Sequence, residues 1–238
     1  MPANGMMSCA AYVAEARETA IQGIYRWAAD LPAERQAGLH QPGRLQRITQ
    51  LTFIDGYWRI RETTRLILQA IDTLSARQEH QAARFWIRHL GEEAEHDDVM
   101  LQDLAQMFGS MALAQSALQQ HPISPPAAAM TGFFDWQTRH GNPHLLIILR
   151  EFLENFVMGM TPEHIGQIHQ AVEGKAEVLA LHQELDGGHA AECLAYIDQY
   201  FQPQQAGELV WAVHFIGACI RESQVWATQI AAMEAGEA

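Results

Sequence analysis

Apolar residues recur at helical spacing along most of the chain. Between 178 and 200 the stripe Val178, Leu181, Leu185, Cys193, Tyr196 and Tyr200 keeps one phase at about 100° per residue. A second stripe reads Trp86, Leu90, Met100, Leu104, Met107 and Phe108. The segment "HLLIILREFLENFVMGM" is apolar nearly all round, the mark of a buried helix. Runs rich in Val, Ile or Thr are few, so alternating strands are not expected. The periodicity predicts about seven helices. They lie near 8–29, 43–73, 76–109, 111–119, 132–138 running on to 143–160, 162–200 with a break near Gly174, and 203–234. Breakers separate them: "LPAERQAG", "HPISPPAAA", "HGNPH", "MTPEH" and "FQPQQAG". Thr161-Pro162-Glu163 reads as an N-cap followed by proline at the first helical position. The proline-rich piece 122–129 is the only linker-like segment and is too short to divide the chain, so residues 1–238 are expected to form a single all-α bundle.

Composition narrows the class. The 238 residues are 48% apolar, which suits a folded globular chain with a substantial core. A net charge of −13 disfavours nucleic acid and anionic membrane as partners. The three cysteines, Cys9, Cys193 and Cys219, are widely spaced and form no CxxC, so neither a disulfide framework nor a zinc knuckle is expected. The opening "MPANGMMSCAAYVAEARETA" lacks a basic segment followed by an apolar one, and no stretch of membrane-spanning length is uniformly apolar. A cytoplasmic protein without signal peptide or membrane span is the expectation.

The candidate chemistry lies in polar residues that interrupt the apolar stripes. In "HQELDGGHA", His189 falls inside the 178–200 stripe, and His182 and Asp186 lie on its edge, about 40° and 80° from Val178. Asp186-Gly187-Gly188 is also a turn signal. A turn would reset the phase, and the phase continues to Tyr200, so the reading is a helix through both glycines at roughly 1 kcal/mol each relative to alanine. Close approach of a facing helix would be the physical reason for them. The alternative is a helix end at Asp186. In "RHLGEEAEHDDVMLQDL", Glu93 and Asp97 lie inside the second stripe, with His89 and His96 flanking it. Glu93 and His96 form ExxH, a spacing by which helical bundles hold iron or manganese. Carboxylate oxygen with neutral imidazole suits iron, and the lack of cysteine in either cluster argues against structural zinc. A solvated face is the bland reading of a lone ExxH. HxxxDxxH beside glycines is the more specific motif, since buried carboxylates are costly unless paired or coordinated.

A carboxylate-bridged site needs a further ligand. The apolar helix offers Arg150, Glu151, Glu154 and Asn155, and either Glu154 or Glu151 could bridge two metals. The alternative is an Arg150–Glu154 pair at i,i+4 on an exposed strip. Glu62 is a weaker carboxylate candidate. His40, His80, His121, His140, His144, His164 and His169 sit near loops or on polar faces. His214, in "WAVHFIGACI", is read as a buried or pocket histidine, and Trp58, Tyr57, Phe133, Phe134 and Trp136 as core or pocket wall.

The ordered motifs "HLGEEAEHDDVMLQDL", "FLEN" and "HQELDGGHAAE", spanning roughly 85–195, resemble the heme-oxygenase-like diiron oxidases and oxygenases, also called iron-containing redox enzymes. The resemblance implies a seven-helix heme-oxygenase-like bundle with two labile non-heme irons. By position, Glu93 and His96 look like the first ligand pair, and His182, Asp186 and His189 like the ligands of the last helix. Glu154 fits the family's aromatic-x-Leu-Glu context, and Glu151 fits the spacing to the histidines. The implied activity is O2-dependent oxidation of a small organic substrate, by oxidative decarboxylation, N-oxygenation or carbon–carbon cleavage. A homodimer is the candidate assembly. Two other classes stand beside this one: a metal-free thiaminase-like binding module or enzyme on the same scaffold, and a ferritin-like iron protein. The last usually carries two ExxH motifs, where this chain has ExxH once and DxxH once.

Overall fold

The computed structural model describes residues 7–26, 43–171, 174 and 176–236, with the side chains of 163, 164, 167, 171 and 181–187 outside that description. Ten α-helices and two short 3-10 turns, with no strand, make up the described residues. They are α1 (Cys9–Tyr25), α2 (Arg44–Ala76), α3 (His80–Glu93), α4 (His96–Phe108), α5 (Met111–Gln120), α6 (Pro125–His140), α7 (Leu146–Met158), α8 (Pro162–Ala171), α9 (Glu177–Tyr200) and α10 (Ala206–Glu234). The all-α bundle is as expected, but the count exceeds seven.

The three extra helices come from three breaks: at 94–95, at 141–145 between α6 and α7, and near Gly174 between α8 and α9. The predicted helix 76–109 is two helices, because Ala94 is extended and Glu95 takes a left-handed φ of 82°. The charge pattern explains the break. Glu92 and Glu93 crowd the negative end of α3, whereas Asp97 and Asp98 are favoured in the first turn of a new helix. The start of α6 also differs, without adding a helix: 122–129 begins it instead of serving as a linker. The Ser124 hydroxyl accepts from the Ala127 N–H, and Pro125 occupies the first turn, where its missing N–H costs nothing. Predicted residues 27–29 lie outside the described residues. The break near Gly174 is present, between α8 and α9.

α1 packs along α10, α7 packs against α9, and α2 touches α3, α4, α6 and α10. Two apolar clusters result. One is centred on Trp86, Phe134, Phe152 and Leu145, and the other on Leu51, Ile54, Leu104 and Tyr57. The long helices α2 and α10 contribute to both. At Gly217 the contact between α1 and α10 requires glycine, since a Cβ there would stand 2.9 Å from that of Ala20. α9 is fixed at its start by a buried carboxylate on α4: Asp103 accepts from the N–H groups of Glu177 at 3.0 Å and Val178 at 2.9 Å. These are otherwise orphan donors of a helix N-terminus. Among the described residues no helix is long and apolar enough to cross a membrane.

Candidate functional site

The stretch 177–200 is one continuous helix, so Gly187 and Gly188 lie inside α9 and the turn reading fails. The expected reason for the glycines is corrected at Gly188: a Cβ built there meets nothing within 4 Å among the described residues, while the surroundings of Gly187 lie outside them. Continuity places His182, Asp186 and His189 on one α-helix. The side chains of His182 and Asp186 lie outside the described residues, and His189 is half-buried.

Two helices, α3 and α7, bring charged groups to His189. From α7, Arg150 and Glu154 are both only 4% exposed. Arg150 Nη1 donates to Glu93 Oε1 at 2.7 Å, and its Nη2 lies 2.9 Å from Glu154 Oε1 and 3.7 Å from Glu92 Oε2. The second oxygen of each inner carboxylate is turned to an imidazole. Glu93 Oε2 is 3.0 Å from His96 Nδ1, and Glu154 Oε2 is 3.8 Å from His189 Nδ1. Glu154 Oε2 is buried and has no hydrogen-bond partner among the described residues. The helix break described above thus keeps the ExxH pair together across two elements instead of along one. Burial opposes the Arg150 charge, but Glu154 and Glu93 outweigh it and hold the guanidinium pKa above its ordinary value.

Glu92 was not among the sequence candidates. Its Oε2 stands 2.8 Å from His89 Nδ1 and 3.5 Å from His189 Nε2. The His89 and His189 rings meet nearly edge-on, with centroids 5.9 Å apart. His89 is fully buried, and its pKa is lowered by burial and by Arg150, with Glu92 pulling it back. The signal for Glu92 was present as His89-x-x-Glu92, the same i,i+3 spacing as ExxH in reverse.

Glu151 and Glu154 part company. Glu151 is fully buried but faces α1, where the Arg17 guanidinium pairs with it and the Asn155 amide lies 3.3 Å away. Burial raises its pKa, and Arg17 opposes the rise. The Arg150–Glu154 pair exists, but it is buried instead of lying on an exposed strip. Glu62 pairs with Arg65 at 2.8 Å, away from the cluster, and Asp97 is half-buried in the first turn of α4. His214 and Trp136 are exposed, which corrects their reading as pocket or core residues. Among the described residues no three His, Cys, Asp or Glu side chains close on a common point for an ion.

A cavity of about 320 Å³ adjoins the cluster. Glu93, Arg150 and Glu154 line it together with Phe53, Met100, Leu153, Phe156, Leu179 and other apolar side chains from both core clusters. Charged groups at the wall of an apolar cavity are the usual form of a small-molecule site.

No family model and no curated protein matches the chain. Solved structures do. A TenA homolog from Pseudomonas syringae pv. tomato str. DC3000 superposes with a TM-score of 0.65 at 13% identity, covering 95% of this chain and 97% of its own. A domain of unknown function with a heme oxygenase-like fold from Shewanella denitrificans OS217 gives 0.68 at 14% identity, covering 95% and 93%. The chain therefore has the heme-oxygenase-like fold. Likeness at this level of identity concerns the fold alone.

Proposed function

We propose that the protein is an oxygen-activating oxidoreductase that takes non-heme iron, two ions per chain, at Glu93, His96, Glu154 and His189, with His182 and Asp186 of α9 completing the ligand set. The observation that supports it best is convergence. The ExxH pair, one of the two α7 glutamates and the last histidine of HxxxDxxH come from separate helices to one arginine-bridged cluster at the cavity wall. The residues fit the group chemically. Glu154 offers a buried oxygen without a hydrogen-bond partner among the described residues, and hard carboxylates mixed with imidazole suit iron. Bound iron would supply oxygen binding and electron transfer. The chain supplies the rest: Glu92 and His89 orient the His189 ring, Arg150 offsets the carboxylate charge, and the apolar wall holds an organic substrate away from water. Buried free cysteines at 9, 193 and 219 accord with a reducing cytoplasm.

The test is oxygen consumption after anaerobic Fe(II) loading and an O2 pulse. The parent should consume O2 in proportion to iron, and His182→Ala and His189→Ala should lose that consumption while keeping their helix content. Two iron-loaded variants that match the parent would overturn the ligand assignment.

A second reading has its own observation. Arg150 already neutralises Glu93 and Glu154, as it would in a metal-free thiaminase-like module, and the fold likeness to a TenA homolog is compatible with that. On this reading iron would leave both stability and absorption spectrum unchanged. A ferritin-like store would bind iron and consume O2 without oxidising any organic molecule.

A further inference from the structure

The cavity holds a second charged element that the iron reading does not use. Asp55 and Arg59 stand one turn apart on α2, and both line it. The Arg59 side chain is 13% exposed. Its contacts lie on Nε alone, 3.4 Å from the Asp55 carbonyl and 3.9 Å from Asp55 Oδ2. Its two Nη groups have no hydrogen-bond partner among the described residues. Asp55 Oδ1 accepts from the Ser124 N–H at 2.9 Å and so anchors the start of α6, while its Oδ2, buried and without a hydrogen-bond partner among the described residues, meets the Nε edge of Arg59 and leaves the Nη edge open. The same cavity is lined largely by apolar side chains, among them Ile60, Phe156, Met160, Ile168 and Leu179.

A guanidinium drawn into apolar surroundings with one edge unpaired is costly unless an anion meets it. The open Nη edge is the edge that binds a planar carboxylate through two parallel N–H···O bonds. We propose that the cavity binds an organic monocarboxylate with an apolar body, the carboxylate on the Nη groups of Arg59 and the body along the Phe156, Met160 and Leu179 wall. Arg59 is then the specificity-determining residue for the substrate's charged end. The claim rests on the proposed function for what becomes of the bound acid, but not for binding, which requires no iron.

The experiment is titration calorimetry on metal-free full-length protein with three probes of equal body: octanoate, octanol and octylamine. Octanoate should bind about tenfold or more tightly than octanol, the scale of charge-assisted hydrogen bonds, and octylamine more weakly than either. Arg59→Met should lower octanoate affinity by a similar factor and leave octanol unchanged, and Arg59→Lys should recover part of the loss. Octanol binding as tightly as octanoate, or octylamine binding best, would overturn the proposal. Those two outcomes are read on the parent, so they stand even if a variant fails to fold. Octanoate binding without iron-dependent O2 consumption would keep Arg59 as an anchor and remove the oxidase reading, and the reverse result would do the opposite.

Discussion

Replacing Arg150 with methionine separates a metal site from a hydrogen-bonded charge cluster. The guanidinium is 4% exposed and reaches Glu93 at 2.7 Å and Glu154 at 2.9 Å, with Glu92 at 3.7 Å. Methionine keeps much of the volume and removes the only cation these contacts supply. Removing one partner of a buried ion pair costs about 3–5 kcal/mol. The solvent-facing part of Glu92 discounts its share, so Glu93 and Glu154 dominate. Set against a typical domain stability of about 5–15 kcal/mol, metal-free Arg150→Met should unfold at clearly lower urea. A divalent ion that binds the folded state at a hundred times its Kd returns about 2.7 kcal/mol. Urea denaturation of parent and variant, each with and without Mn(II) under nitrogen, reads both effects. Mn(II) should stabilise the variant more than the parent, because in the parent the arginine competes for the same carboxylate oxygens. A folded variant that Mn(II) does not stabilise would refute the metal reasoning, and a variant as stable as the parent would refute the electrostatic one.

Other outcomes follow from single contacts. Glu154→Gln should weaken iron binding at least tenfold in an anaerobic titration, whereas Glu151→Gln should leave it unchanged and loosen α1, seen as faster amide exchange there; equal losses would show that the partition between the two glutamates is wrong. Asp103→Ala should cost about 1–2 kcal/mol in urea denaturation, the usual worth of a helix cap, with exchange rising first at the start of α9; unchanged exchange there would sink the tether. Burial holds His144 below the ordinary imidazole pKa, with Glu79 pulling partly back. The unfolded chain therefore takes up that proton first, so the contribution is complete above about pH 6.5 and falls as the pH drops below it. His144→Asn should flatten the stability profile between pH 7.5 and 5; parallel profiles would remove His144 as a source of the slope.

The all-α class was legible because its signals are local and repeated. The phase from Val178 to Tyr200 outweighed the Gly187-Gly188 turn signal, and the helix does run through. The break at Ala94–Glu95 was not legible, since no proline or glycine marks it and the left-handed residue is a glutamate. In 122–129 the prolines suggested a linker, whereas their place after a serine cap starts a helix. The cluster was half legible. Identity and spacing marked Glu93, His96 and His189, but periodicity could not choose between Glu151 and Glu154, because α7 is buried all round and the choice depends on which neighbour each meets. Arg17 on α1 and Arg150 on α7 make that distinction, and both are tertiary facts. Arg150 looked like half of a surface pair, and its contact with α3 depends on how the helices pack.

Whether the arginine-bridged cluster is an iron site is decided by anaerobic titration with Fe(II), followed by the bound-iron count and the absorption change on air exposure. The parent should bind two irons per chain and gain a new absorption band on oxygen exposure, and His189→Ala should lose both. A parent that retains no iron and shows no absorption change, with its fold and thermal stability indifferent to Fe(II), would contradict the iron assignment.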